Sequence, residues 1–144
     1  MARGFCHRHG NERPCSCSMG NIYRYVEPVT LYLLKLKGRA YGYELGNYLQ
    51  EHALTDSEVD RAALYRTLRQ LETNGFVTSE WDVGGGGPAR RLYALTPAGM
   101  DHLSEWLVVL RQMAAAMNRF VDEADKLILS DKKDLKMANT VENE

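Results

Sequence analysis

A mainly α-helical chain with a small β-hairpin wing and a long C-terminal helix is the fold this sequence predicts, and three observations predict it. From Asp60 to Gly75 (DRAALYRTLRQLETNG), Leu64, Leu68 and Leu71 recur at i, i+4 and i+7 before an Asn-Gly stop. Phe76 to Val83 and Arg90 to Leu95 are extended runs rich in β-branched and aromatic residues, parted by Gly84 to Gly87 and Pro88. Thr96-Pro97 then opens a helix whose apolar residues step by three and four as far as Leu127. A basic helix, a strand, a glycine tip, an arginine strand and a new helix, in that order, spell a winged helix-turn-helix.

The elements divide the 144 residues into a Cys/His-rich tail (1–25), a winged helix-turn-helix domain (26–96), a dimerisation helix (97–129) and a flexible polar tail (130–144). The first helix is expected over Glu27 to Lys37, with Pro28 in its first turn and Gly38 as its stop. Its apolar residues Val29, Leu31, Tyr32, Leu33, Leu34 and Leu36 spread too widely for a surface helix, so it reads as the central core element. A second helix from Tyr43 to about His52 offers Leu45, Tyr48 and Leu49 to that core, and His52 suits a helix C-terminus. Residues 53–59 make the turn into the third helix.

On the third helix the face opposite the leucines carries Arg61, Tyr65, Arg66 and Arg69. Guanidiniums there offer charge to phosphates and forked donors to guanine edges. A solvated surface helix is the competing reading, and the wing decides between them: its four-glycine tip is followed by Arg90 and Arg91 on the returning strand, which suits a phosphate backbone or a minor groove. Trp81 on the first wing strand reads as packing.

On the last helix Leu103, Trp106, Leu110, Met113, Met117, Phe120, Ala124 and Leu127 form a heptad-like seam. At about 1.5 Å per residue that helix spans some 45 Å, more than a small domain covers alone. A homodimer is therefore expected, with two reading helices one duplex turn apart on an inverted repeat. Leu107, Val108, Val109, Val121 and Ile128 widen the stripe beyond a strict coil. Trp106, Met113 and Met117 are either core packing or the soft lining of an effector cavity between subunits.

The run Cys6-His7-Arg-His9 to Cys15-Ser-Cys17 places five soft or borderline ligands within 12 residues. Three thiolates with an imidazole would satisfy zinc, and thiolates also hold an iron–sulfur cluster or Cu(I). Redox pairing of Cys6 with Cys15 or Cys17 needs no metal, so a metal or redox sensor and a plain reactive tail both stay open.

The net charge of −1 argues against a basic whole-protein footprint. Charge is instead segregated: residues 1–97 hold 12 basic against 10 acidic side chains, and residues 98–144 hold 6 against 9. Binding to double-stranded DNA should then rest on a local patch and fall with salt. No run approaches the roughly 20 apolar residues that span a bilayer, so no membrane partner and a cytoplasmic location are expected. Three cysteines confined to one tail make no disulfide framework. His7, His9, His52 and His102 stand in no nucleophile or acid–base arrangement, so no enzymatic activity is expected.

Tyr41-Gly-Tyr-Glu-Leu45, Ala63-Leu-Tyr-Arg-Thr-Leu68, Leu71-Glu72, Gly75-Phe-Val-Thr-Ser-Glu-Trp81 and Gly87-Pro-Ala-Arg-Arg-Leu-Tyr-Ala-Leu-Thr-Pro-Ala-Gly99 together resemble the PadR family of bacterial winged-helix regulators. The resemblance covers about 26–129. It implies a dimeric, repressor-type transcriptional regulator in which Tyr65, neighbouring polar residues and the wing arginines face an operator. It also implies a response to phenolic acids or flat aromatic drugs, as in some relatives. Ala62 and Ala63 stand where the family often has a small polar residue, beside Arg61 as a substitute backbone contact. The alternative on the same fold is a protein-interaction adaptor that never touches DNA.

Overall fold

Seven elements build the chain in the computed structural model, which describes residues 25–54 and 59–141. They are α1 (Val26–Lys37), β1 (Arg39–Tyr41), α2 (Gly42–Glu51), α3 (Arg61–Thr73), β2 (Val77–Asp82), β3 (Arg90–Leu95) and α4 (Pro97–Val141). The strands form one antiparallel sheet in the order β1-β3-β2. By internal contacts the chain divides into a first unit ending at Ser104 and a second beginning at Glu105.

The core of the first unit is a leucine cluster on three helices. Leu31, Leu33 and Leu34 of α1, Leu45 and Leu49 of α2, and Leu64, Leu68 and Leu71 of α3 are all buried, closed from the sheet side by Ala40, Val77 and Tyr93. α1 is central, as its apolar spread predicts, but Tyr32 and Leu36 point outward. A helix needs only part of its circumference to reach two neighbours, and the rest stays wet. Thr30 is buried without penalty because its hydroxyl donates to the Val26 carbonyl at 2.7 Å.

Local chemistry sets the ends. The Asp60 carboxylate accepts the Ala62 amide at 3.0 Å and starts α3. The Asn74 amide closes on Gln70 at 3.0 Å, so the Asn-Gly stop falls where the sequence places it. Thr96 starts α4 by accepting the Gly99 amide at 3.0 Å while its hydroxyl donates to the Gly75 carbonyl at 2.7 Å.

Three expectations are corrected. The wing is more than the two-stranded hairpin expected: Arg39–Tyr41, unassigned between the first two helices, is a third strand pairing Tyr41 with Leu92 and Ala40 with Tyr93. Three residues after a helix stop are too few to show an alternation, so no periodicity betrays them. α4 does not end near residue 129 but continues to Val141, because Ser130 to Val141 contains no glycine or proline to break it. Leu103, placed on the dimer seam, is only 7% exposed within one chain. The first turns of α4 are docked there by His102, which bonds to Glu27 of α1 and stacks on Phe76 with ring centroids 4.0 Å apart.

The second unit is the remainder of α4. Its apolar side chains are open to solvent in the single chain, Phe120 at 70% and Leu127 at 66%, with Leu107, Val108, Val109, Met117, Val121 and Ile128 also exposed. Trp106, Leu110 and Met113 are half-buried. Among the described residues no helix is long and apolar enough to cross a membrane.

Candidate nucleic-acid interface

The strand register organises the wing. Direct cross-strand partners share a sheet face, so Trp81 and Arg91 lie on the face that also carries Val77 and Tyr93, whereas Asp82 and Arg90 lie on the other. Arg91 stacks over Trp81 at 5.1 Å, and Arg90 lies over Tyr41 at 4.7 Å and donates to the Tyr43 hydroxyl at 3.3 Å. Both wing arginines are therefore held on rings, which lowers the entropy lost when they meet an anion.

Glu72, near the end of α3, ties that helix to the wing. One of its carboxylate oxygens accepts the Ser79 hydroxyl of β2, and the other faces Arg91 of β3 at 3.8 Å. Tyr65 is set by a close approach: a Cβ on Gly42 would lie 2.6 Å from its ring, so glycine at the start of α2 admits the tyrosine. Arg61 is swung onto α2, where it donates to Asn47 at 2.9 Å beside Gly46. Arg66 and Arg69 are exposed and make no hydrogen bond or ion pair among the described residues. The structure thus gathers Tyr65, Arg69, Arg90 and Arg91 around one open cavity of about 410 Å³, together with Tyr41, Gly42, Tyr43, Trp81 and Tyr93.

Asp82 anchors the wing to β1. The Tyr41 hydroxyl donates to its carboxylate, the Gly84 amide donates at 3.1 Å, and Arg90 adds attraction, which together hold this carboxyl below the usual aspartate range against the opposing effect of burial. The same bond, with desolvation, raises the Tyr41 phenol above its ordinary value. A depressed acid contributes above its unfolded value and is lost as pH falls through its folded one. A raised phenol contributes below its unfolded value and is lost as pH rises through its folded one. The anchor should therefore be unchanged between about pH 5 and 9. The Gly84 amide shift, followed by NMR, should stay flat across that window and move only below the ordinary aspartate range; a midpoint near neutrality would contradict the assignment.

Tyr93 is also raised, mainly by burial and despite Arg91. The Arg91 Nε is buried with no hydrogen-bond partner among the described residues.

Arg61, Tyr65, Arg66 and Arg69 lie on α3 and Arg90 and Arg91 on β3, as their spacing predicts, but the sequence does not disclose the residues that hold the wing arginines: Glu72 at Arg91, and Tyr41, Tyr43 and Asp82 around Arg90. Trp81, read as packing, is 61% exposed and carries Arg91 instead. Trp106, Met113 and Met117 take no part in this cavity. Cys6, His7, His9, Cys15 and Cys17 lie outside the described residues. Among the described residues no group of three or more His, Cys, Asp or Glu side chains could hold a metal.

The family model described as "Transcriptional regulator PadR-like family" matches residues 30–105. A curated relative, the negative transcriptional regulator PadR of Bacillus subtilis, is 28% identical over 85 residues, covering 59% of this chain and 46% of its own length. This chain thus spans less than half of that relative. The crystal structure of Bacillus subtilis PadR in complex with operator DNA is similar with a TM-score of 0.52 and 28% identity, over 60% of this chain and 49% of that one. A transcriptional regulator from Clostridium thermocellum is similar with a TM-score of 0.60 and 26% identity, over 68% of this chain and 91% of that one.

Proposed function

This chain belongs to the PadR-like family of transcriptional regulators, and from that premise we propose that it is a repressor that binds an inverted repeat in duplex DNA as a homodimer. One observation carries the reading: exposed Arg66 and Arg69, the oriented Tyr65, and the ring-held Arg90 and Arg91 belong to α3 and the wing, the two elements that approach DNA in this fold. α3 is suited to the major groove, where Tyr65, Arg66 and Arg69 meet base edges and phosphates. The wing arginines are suited to the flanking backbone. A chain with a net charge of −1 gains this affinity from local counterion release rather than from its overall field.

The repressor assignment is supported by the curated relative, described as a negative regulator, and the DNA partner by the relative solved on its operator. The dimer is supported by the exposed apolar side chains of residues 105–141, which a second copy would cover. Two-fold symmetry then requires a two-fold symmetric site.

The test is a salt-dependent titration of the protein with duplex from its own promoter. The Arg66→Ala/Arg90→Ala double variant should bind about 10- to 100-fold more weakly, with a log–log salt slope shallower by about 1 to 2. A wild-type protein that shows no salt-dependent duplex binding would instead be a winged-helix adaptor.

A further inference from the structure

DNA docking leaves part of this face unused. A duplex shows a wing its phosphates and sugars while its bases stay stacked inside, so contact calls for N–H donors and not for open ring faces. The cavity is nevertheless walled by rings. Tyr41 and Tyr43 are stacked at 5.8 Å with planes 7° apart, and Trp81 is mostly exposed. Three guanidiniums, those of Arg69, Arg90 and Arg91, share the lining with no carboxylate among the lining residues. The buried Nε of Arg91 is a donor still without an acceptor among the described residues. The volume of about 410 Å³ lies in the range of roughly 300–1,000 Å³ common for small-ligand sites, far more than one inorganic anion fills.

We propose that this cavity binds a free ligand of mononucleotide size, a planar heteroaromatic ring bearing a phosphate, and that this ligand and duplex DNA exclude one another. The ring is matched by the aromatic wall and the doubly charged phosphate monoester by the guanidiniums, which favour phosphate through paired N–H donors. Stacking on aromatic side chains accepts any base, so the site selects the class and not one base. Only the mutual exclusion rests on the DNA reading given above; binding itself is measured without DNA.

The experiment titrates the full-length, isotopically labelled chain with adenosine 5′-monophosphate, adenosine, inorganic phosphate and an eight-residue oligothymidylate, following the Trp81 indole and Arg91 Nε–H resonances. Adenosine monophosphate should give saturable shifts at both, with adenosine and phosphate each at least tenfold weaker. Trp81→Ala should weaken that binding about tenfold while leaving the thermal midpoint unchanged, because Trp81 is outside the core. Phosphate binding as well as the nucleotide would mean an adventitious ion only and would overturn the assignment. So would oligothymidylate binding more than tenfold tighter, which would assign the rings to an unpaired strand. In a second arm, the nucleotide should raise the midpoint of the duplex titration in proportion to its concentration. A duplex midpoint that does not move at saturating nucleotide would overturn the exclusion. A duplex that fails to bind at all would sink the DNA reading while the resonance shifts still decide the cavity.

Discussion

Gly99→Ala should destabilise the protein by about 3 kcal/mol or more, the largest effect expected of any single methyl group added to this fold. A Cβ at that position would lie 2.0 Å from the Phe76 carbonyl oxygen and 2.7 Å from a methyl of Leu95. The oxygen belongs to the backbone and is already engaged, accepting the Thr96 amide at 3.1 Å, so it cannot turn aside. Relief requires the first turn of α4 to lift away from the α3–β2 turn. That movement would stretch the Thr96 contacts to Phe76 and Gly75, separate His102 from the Phe76 ring and uncover Leu103. Urea unfolding of the variant beside wild type measures the loss. Gly87→Ala is the control, because nothing lies within 4 Å of its added methyl and its φ is not positive. Gly87→Ala should change stability by less than about 0.5 kcal/mol, as surface substitutions do. A Gly99→Ala loss below about 1 kcal/mol would mean that the junction is not packed as described.

The clash at Gly99 also marks the boundary of what the sequence discloses. Periodicity within one element is legible, so the leucines of α3, the Asn-Gly stop, both wing strands and the Thr-Pro start of α4 fall where spacing and capping chemistry put them. Contacts between elements distant in sequence leave no such trace. Glu72 reaches Ser79 and Arg91, Tyr41 reaches Asp82, and Gly42 makes room for Tyr65, each across a turn or a strand pairing. The positions of the candidate residues on α3 and the wing are therefore readable from the sequence, while the contacts that hold the wing arginines are not. Trp81 illustrates the same limit: a tryptophan in a strand is ordinarily core, and its register puts it on the face of buried Val77 and Tyr93, yet it is exposed under the Arg91 guanidinium. The β1 strand and the last twelve residues of α4 escaped for opposite reasons, one too short for a period and the other too polar to advertise a helix.

A charge placed on the apolar stripe of α4 should abolish the proposed dimer and, through it, nearly all affinity for the proposed two-fold symmetric operator. Helix residues after Ser104 expose Phe120, Leu127, Leu129 and several valines in the single chain, more apolar surface than isolated exposed side chains would explain. A helix draws most of its stability in water from packing one face, so this stripe calls for a cover. The opposite charges nearby are too few to serve, since residues 98–144 hold 6 basic against 9 acidic side chains and would repel a second copy unless apolar contact outweighs them. Leu110→Glu with Phe120→Glu adds a further two negative charges per chain to that contact. Sedimentation should find the double variant monomeric at concentrations where wild type is dimeric. Its affinity for an inverted repeat should fall by about 100-fold or more, because a monomer loses the effective concentration that the linked second reading head supplies. Affinity for a single half-site should change little, since neither residue lies in the first unit, where α3 and the wing are. A variant that stays dimeric would place the dimer contact elsewhere. A monomer that still held the full repeat as tightly as wild type would show that each reading head works alone, and the requirement for a two-fold symmetric operator would fall with it.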